Sequence, residues 1–101
     1  MTVTAKISPD GAELTIAIEG RFDFSAHQEF RKAYESAATK PRSFVVDMSR
    51  ASYLDSSALG MLLLLRDYAG GDSAHVSISH CTPEVKDILT VSNFDQLFTL
   101  E

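Results

Sequence analysis

The sequence has little proline, glycine and cysteine, and it has no long hydrophobic run. Three prolines and five glycines among 101 residues leave no stretch typical of a linker, so we expect one domain over residues 1–101. The single cysteine, Cys81, has no second cysteine with which to form an internal disulfide or a zinc site. The longest apolar stretch, residues 58–65, is too short to cross a bilayer, which predicts a protein without membrane insertion.

Positive charge is also scarce. Nine basic residues against fourteen acidic ones give a formal net charge of −5, and no basic run is present. A direct nucleic-acid partner is therefore poorly supported, and a protein partner is expected. The first residues lack the basic start and apolar run of a signal peptide, which predicts a cytoplasmic location.

Hydrophobic periodicity predicts two strands followed by alternating helices and strands. Residues 3–7 and 14–18 alternate apolar with polar side chains around a turn at residues 9–12, which indicates a hairpin. Ser25 is placed to cap a first helix that should end near residues 39–41. Residues 44–48 are rich in β-formers without strict alternation, as in a central strand.

The second half of the chain continues the alternation. A second helix is expected from about Ser57 to Ala69, followed by a strand over residues 75–79. Thr82 and Pro83 are typical of a third helix start, with Val85, Ile88, Leu89 and Val91 facing inward, and residues 94–100 offer a short last strand. The fold class is therefore α/β: a mixed sheet of about four to five strands with three or more helices packed against it.

The joint between the central strand and the second helix carries the chemistry. Asp55, Ser56 and Ser57 are residues that cap helices, and capping alone would explain one of them. Functional groups are often presented at the carboxyl ends of parallel strands, where Asp23 would reach the same edge if it ends the second strand. A phosphate on Ser56 or Ser57 would be tolerated by the helix start, yet a partner pressed against the joint would meet new charge and bulk.

The second helix is apolar on more than one side. One stripe, suited to the sheet, contains Ala58, Met61, Leu62, Leu65 and Ala69. A second stripe contains Leu59, Leu63 and Arg66, and a third contains Leu64 and Tyr68. Leucines that neighbouring helices leave uncovered would form a partner surface beside the serines; the alternative is a helix buried on all sides.

Motifs of enzymes and cofactor sites are missing from the sequence. The serines lack a Gly-x-Ser-x-Gly elbow, and no glycine-rich phosphate loop is present. His27, His75 and His80 do not have metal-ligand spacing. We therefore expect a binding protein with no catalytic residues, no cofactor and no metal, monomeric when free.

Three motifs resemble a known family. Val45-Val46-Asp47-Met48-Ser49 through Leu54-Asp55-Ser56-Ser57-Ala58-Leu59-Gly60 is similar to the signature of bacterial anti-sigma factor antagonists, the STAS domains. Gly20-Arg21-Phe22-Asp23 resembles the family's Gly-x-Leu-Asp, and residues 93–98 resemble its closing Gly-Leu-x-x-Leu-Phe. The resemblance covers nearly the whole chain.

The resemblance implies a partner switch. The unphosphorylated domain would bind an anti-sigma factor, often a serine kinase of the GHKL type; phosphorylation of the serine after the aspartate, here Ser56, would release it, and a PP2C-type phosphatase would restore binding. The expected partner-binding residues are Asp23, Asp55, Ser57, Leu59, Leu63 and Arg66. Ala58, Phe22 and Asn93 depart from the family pattern, but none of them removes the acceptor hydroxyl.

Two other functions remain open from the sequence. The same family includes constitutive adaptors of membrane transport complexes, in which the second helix docks permanently and no serine is modified. The phosphoswitch could also act on a client other than a sigma regulator, such as a protein controlling biofilm or secretion.

Overall fold

The computed structural model describes residues 2–36 and 40–101. Its helices and strands follow in the order β1 (Thr2–Ile7), β2 (Glu13–Phe22), α1 (His27–Glu35), β3 (Ser43–Leu54), α2 (Ser56–Ala69), β4 (Val76–Ser79), α3 (Pro83–Val91) and β5 (Thr99–Leu100). Short 3₁₀ turns cover Phe24–Ala26, Gly71–Ser73 and Phe94–Gln96. The described residues thus confirm the predicted α/β class, including the hairpin and the short last strand.

The five strands lie in the sheet in sequence order. β1 is antiparallel to β2, and the pairs β2–β3, β3–β4 and β4–β5 are parallel. Each parallel pair is joined through a helix, and every crossover steps in the same direction across the sheet. Because such crossovers are right-handed, all three helices pack on one face of the sheet. Their joints bring the carboxyl ends of β2 and β3 to one edge.

β3 is longer than predicted and irregular in its second half. It continues beyond Met48 to Leu54, and it carries two extra residues relative to β2. The first extra residue lies between Asp47 and Arg50, which pair with Ala17 and Glu19. The second extra residue lies between Ala51 and Tyr53. These β-bulges change the spacing of buried side chains from two residues to three, which ends the simple alternation. They deliver Leu54 to the core and the next residue, Asp55, to the helix start.

One hydrophobic core lies between the sheet and the helices. Large side chains with less than 2% exposure include Phe22, Phe30, Phe44, Met48, Leu62 and Leu65. Burying a side chain of this size stabilises the fold by roughly 1.5–3 kcal/mol. The core therefore fixes the strand ends that carry the polar residues of the joint.

The start and end of α1 differ from the prediction. Ser25 does not cap α1, because its backbone N–H and its hydroxyl both donate to Asp23 Oδ1, at 3.0 and 2.5 Å. Asp23 is thereby the cap of the 3₁₀ turn that precedes α1. α1 itself ends at Glu35 with Ser36 as its C-cap, earlier than the predicted end near residues 39–41, of which Thr39 falls outside the described residues.

α3 and β4 also differ in part from the prediction. α3 begins as predicted, with the Thr82 hydroxyl accepting the N–H of Val85 and with Pro83 at the first turn. Val91 was expected to face inward, but it is 82% exposed because it lies in the last turn, beyond the reach of the core that holds Val85 and Leu89. β4 starts at Val76, one residue later than expected.

Candidate functional site

The joint between β3 and α2 is built around the carboxylate of Asp55. Asp55 keeps an extended backbone and is the N-cap of α2, so the helix begins at Ser56 and not at Ser57. Its Oδ1 accepts the N–H of Ala58 at 3.0 Å and the hydroxyl of Ser57 at 2.6 Å. These donors, the Ser57 hydroxyl first, lower the pKa of Asp55 below its ordinary value. Asp55 is therefore a fixed anion beside the first residue of the helix.

The two serines at the joint are in different situations. Ser57 is half-buried, and its hydroxyl is committed to Asp55. Ser56 is exposed, and among the described residues its hydroxyl has no hydrogen-bond partner within the protein. The structure thus separates a serine that completes the cap from a serine whose hydroxyl is open to solvent.

Asp23 lies beside Asp55 at the same edge of the sheet. Phe22 and Leu54 are paired in the β2–β3 register, so each aspartate directly follows one member of that pair. The donors at Ser25 lower the pKa of Asp23, whereas the nearby negative charge of Asp55 acts to raise it. β2 ends at Phe22, one residue before Asp23, and Asp23 lies at the same edge of the sheet as Asp55.

Arg21 supplies a positive charge next to Asp23. Its Nε lies 3.8 Å from Asp23 Oδ2, and its guanidinium carbon lies 4.4 Å from the centre of the Tyr53 ring. The Arg21 side chain is 65% exposed. An exposed cation therefore lies over an aromatic ring beside Asp23.

α2 presents two unlike sides. Four residues of its predicted inward stripe, Ala58, Met61, Leu62 and Leu65, are buried, and the fifth, Ala69, is half-buried and packs against the core. On the outward side, Leu63 is 41% exposed and Leu64 is 55% exposed. Gly60, which lies one helical turn after Ser56, has open space where a Cβ would be. The outward side is therefore a partly apolar surface that starts at Ser56.

Of the other partner residues expected on α2, Leu59 is half-buried and packs against the core. The guanidinium of Arg66 is engaged within the domain. Its Nε donates to the carbonyl of Leu97 at 3.2 Å and its Nη2 to Asp72 at 3.2 Å, which leaves the side chain 21% exposed. Arg66 ties α2 to the C-terminal segment.

Two residues near the joint were not proposed as site residues from the sequence: Phe24 and Arg21. Phe24 directly follows the capping Asp23, as Ser56 follows Asp55, and it is 68% exposed with its ring stacked on His27. An aromatic residue directly after a capping aspartate is the signal that could have pointed to it. Leu64 lines a groove with His27, on whose ring Phe24 is stacked, and with the charged residues Arg31, Glu35 and Asp67.

Two further findings concern metal-binding groups and membrane-spanning helices. Within residues 2–36 and 40–101, no three His, Cys, Asp or Glu side chains are grouped so that they could hold a metal ion. Over the same residues, no helix has the length and apolar character needed to cross a membrane.

The fold and the joint together define a small α/β domain with a sequentially ordered mixed sheet and a solvent-exposed serine at the start of its second helix. The family model described as "Mlab, STAS domain" matches residues 5–100, and the chain belongs to this STAS domain family. A STAS-domain containing protein of Pseudomonas aeruginosa (strain UCBPP-PA14) is 63% identical over 100 residues, which are 99% of each chain.

Solved structures share the fold at low sequence identity. The anti-sigma factor antagonist SpoIIAA in its unphosphorylated form matches with a TM-score of 0.71 and 14% identity, over 94% of this chain and 96% of that chain. The phosphorylated form of the Bacillus protein matches with a TM-score of 0.75 and 15% identity, over 99% and 91% of the two chains. A sulfate transporter family protein from Wolinella succinogenes matches with a TM-score of 0.74 and 19% identity, over 90% and 74%.

Proposed function

We propose that this protein is an anti-sigma factor antagonist that acts by partner switching. The unphosphorylated domain binds an anti-sigma factor or a serine kinase of the GHKL type. Phosphorylation of Ser56 releases that partner, and a PP2C-type phosphatase restores binding. On this proposal residues 1–101 act in the cytoplasm as one binding domain, without catalysis of their own, and the free domain is a monomer.

The difference between Ser56 and Ser57 carries the proposal. A kinase needs an accessible hydroxyl, and Ser56 is exposed at the first residue of α2. Phosphorylating Ser57 would break its hydrogen bond to Asp55 and disturb the cap. Ser56 is therefore the acceptor that can be modified while the helix start stays intact.

Release follows from charge and desolvation at the outward side of α2. A phosphate brings about −1.5 to −2 charges to a joint that already holds Asp23 and Asp55. The start of α2 tolerates this charge, because free backbone N–H groups and the helix dipole favour an anion there. A partner packed on Leu63 and Leu64 would instead have to bury or displace the phosphate beside its apolar contact. Association is lost while the fold persists.

The solved neighbours support the proposal in one respect. SpoIIAA is an anti-sigma factor antagonist whose structure is known in both an unphosphorylated and a phosphorylated form, on the same fold. A fold of this kind is compatible with both states.

A constitutive adaptor of a membrane transport complex is the second candidate. The likeness to a sulfate transporter family protein, with a TM-score of 0.74, favours it. In such an adaptor α2 would dock permanently, and the exposed Ser56 hydroxyl would have no regulatory role.

Phosphopeptide analysis and affinity purification from the native cells test the proposal. The wild type is compared with Ser56→Ala, and Ser73→Ala serves as the matched control because it removes an exposed hydroxyl beyond the opposite end of α2. We expect phosphate on Ser56, and more partner retained by Ser56→Ala than by the wild type or by Ser73→Ala.

The opposite pattern would favour the adaptor. If no growth condition yields a phosphate on Ser56, and a transport ATPase is recovered equally with all three proteins, the partner switch is wrong.

A further inference from the structure

The charges around Ser56 include one that the partner switch does not use. Arg21 is held near Asp23 at 3.8 Å, which is longer than a hydrogen bond, and its side chain is 65% exposed. Asp23 does not depend on Arg21 for its own hydrogen bonds, because its Oδ1 is satisfied by Ser25. Arg21 can therefore leave Asp23 at little cost.

We propose that Arg21 binds the phosphate of phosphorylated Ser56 and so acts as its positioning residue; this inference rests on the proposed function. The guanidinium turns from Asp23 towards the phosphate, while its stem stays on the ring of Tyr53. The ligand is the protein's own phosphoserine, and no second molecule is needed.

The register of the sheet places Arg21 within reach. Arg21 pairs with Tyr53 and Phe22 with Leu54, so the residues that follow, Asp23 and Asp55, stand side by side. The guanidinium already extends forward to Asp23. Asp55 stands one strand spacing from Asp23, roughly 4.8 Å, and Ser56 is the next residue after Asp55.

Electrostatics favours the movement once the phosphate is present. A dianionic phosphate on Ser56 would meet the like charges of Asp23 and Asp55, and the structure places the cation of Arg21 against Asp23. The planar guanidinium can donate two parallel hydrogen bonds to phosphate oxygens, which gives a stronger and more directional contact than its present one with Asp23. The exchange holds the phosphate at the joint and offsets the repulsion from the aspartates.

A phosphorus NMR titration of the full-length protein with phosphoserine incorporated at position 56 during synthesis tests the inference. The second pKa of a phosphoserine lies near 6, and a cation beside the dianion lowers it. We compare the unsubstituted phosphoprotein with its Arg21→Gln variant, whose uncharged polar side chain can still lie over the Tyr53 ring. Arg21→Gln should raise the second phosphate pKa by about half a unit, and Arg21→Lys should restore part of the difference.

Arg50 provides the matched control. It lies on the same pair of strands, is 77% exposed and forms an ion pair with Glu19 at 3.5 Å, away from the joint. Arg50→Gln removes the same charge and should leave the phosphate pKa unchanged. Because the imidazole of His27 stacks on Phe24 of the same loop, each comparison is repeated with His27→Gln.

The two possible results separate the inference from the proposed function. If Arg21→Gln and Arg50→Gln move the phosphate pKa equally or not at all, Arg21 does not bind the phosphate, whatever happens in cells. If only Arg21→Gln moves it, the contact is established even where native cells never phosphorylate Ser56, since the phosphate was introduced by synthesis.

Discussion

The inward and outward sides of α2 both carry leucines, and these leucines serve different ends. Leu62 and Leu65 are fully buried against the sheet, whereas Leu63 and Leu64, next to them in the chain, are 41% and 55% exposed. Burial, and not residue type, therefore decides which leucines hold the fold. The outward leucines share their side of the helix with Ser56, and this is why we assign them to binding.

Removing an inward leucine should have the largest effect on stability. Leu62→Ala deletes a side chain with no exposure and leaves a cavity, so we expect a loss of about 2–5 kcal/mol in the free energy of unfolding. Leu64→Ala, on the outward side, should change it by no more than about 0.5 kcal/mol. Urea denaturation measures both, and equal losses would contradict the division of the helix into two sides.

A charge at Ser56 should affect binding and spare stability. Ser56→Asp places a carboxylate at the first residue of α2, where the helix dipole accepts it, so the midpoint of unfolding should hardly move. The affinity for the partner recovered from cells should fall at least about tenfold, or about 1.4 kcal/mol. Calorimetric titration measures it.

Ser73→Asp is the control for this charge, because Ser73 is exposed just beyond the opposite end of α2. It should leave the affinity unchanged. A comparable loss in both variants would mean that net charge, and not the joint, governs association.

Gly60→Ala should move stability and binding in opposite directions. The position lies inside α2, and the added Cβ has no atom within 4 Å, so alanine should stabilise the helix by about 0.5–1 kcal/mol. On the proposed surface the same methyl group would hold a partner's backbone away, and affinity should fall. A gain in stability with unchanged affinity would show that the docking surface does not include Gly60.

The smallest effect concerns acid stability. The pKa of Asp55 is lowered in the folded state, so its contribution is present above the unfolded value of about 3.9 and is lost as pH falls through the lower folded value. Asp55→Ala should therefore melt a few degrees below the wild type at neutral pH, with a difference that narrows below about pH 4. Melting curves from pH 7 to pH 2.5 measure it; a constant difference would show that the carboxylate charge does not matter.

The order of strands and helices could be read from the sequence because hydrophobic periodicity is local. The inward stripe of α2 and the short last strand were visible in this way. The cap at Thr82 was visible from residue types that are typical of a helix start. The end of the central strand was not, since the two bulges of β3 depend on pairing with β2 and break the alternation over residues 49–54. Sequence spacing alone cannot show where one strand of a pair carries an extra residue relative to the other.

The candidate site was predictable in its residues and not in its contacts. Asp55 and Ser56 stand out as a helix start, and their neighbourhood with Asp23 followed from the expected strand ends. That Asp55 holds Ser57 and leaves Ser56 open depends on side-chain geometry. The engagement of Arg66 with Leu97 joins residues 31 positions apart, and no local pattern signals it.

The affinity of the partner for the domain carrying a true phosphoserine at position 56, measured together with the domain's melting temperature, tests the central claim most directly. We expect the phosphorylated domain to bind at least about tenfold more weakly than the unmodified domain while melting within a few degrees of it. Equal affinities, or a loss of affinity that accompanies unfolding, would contradict a switch located on the outward side of α2.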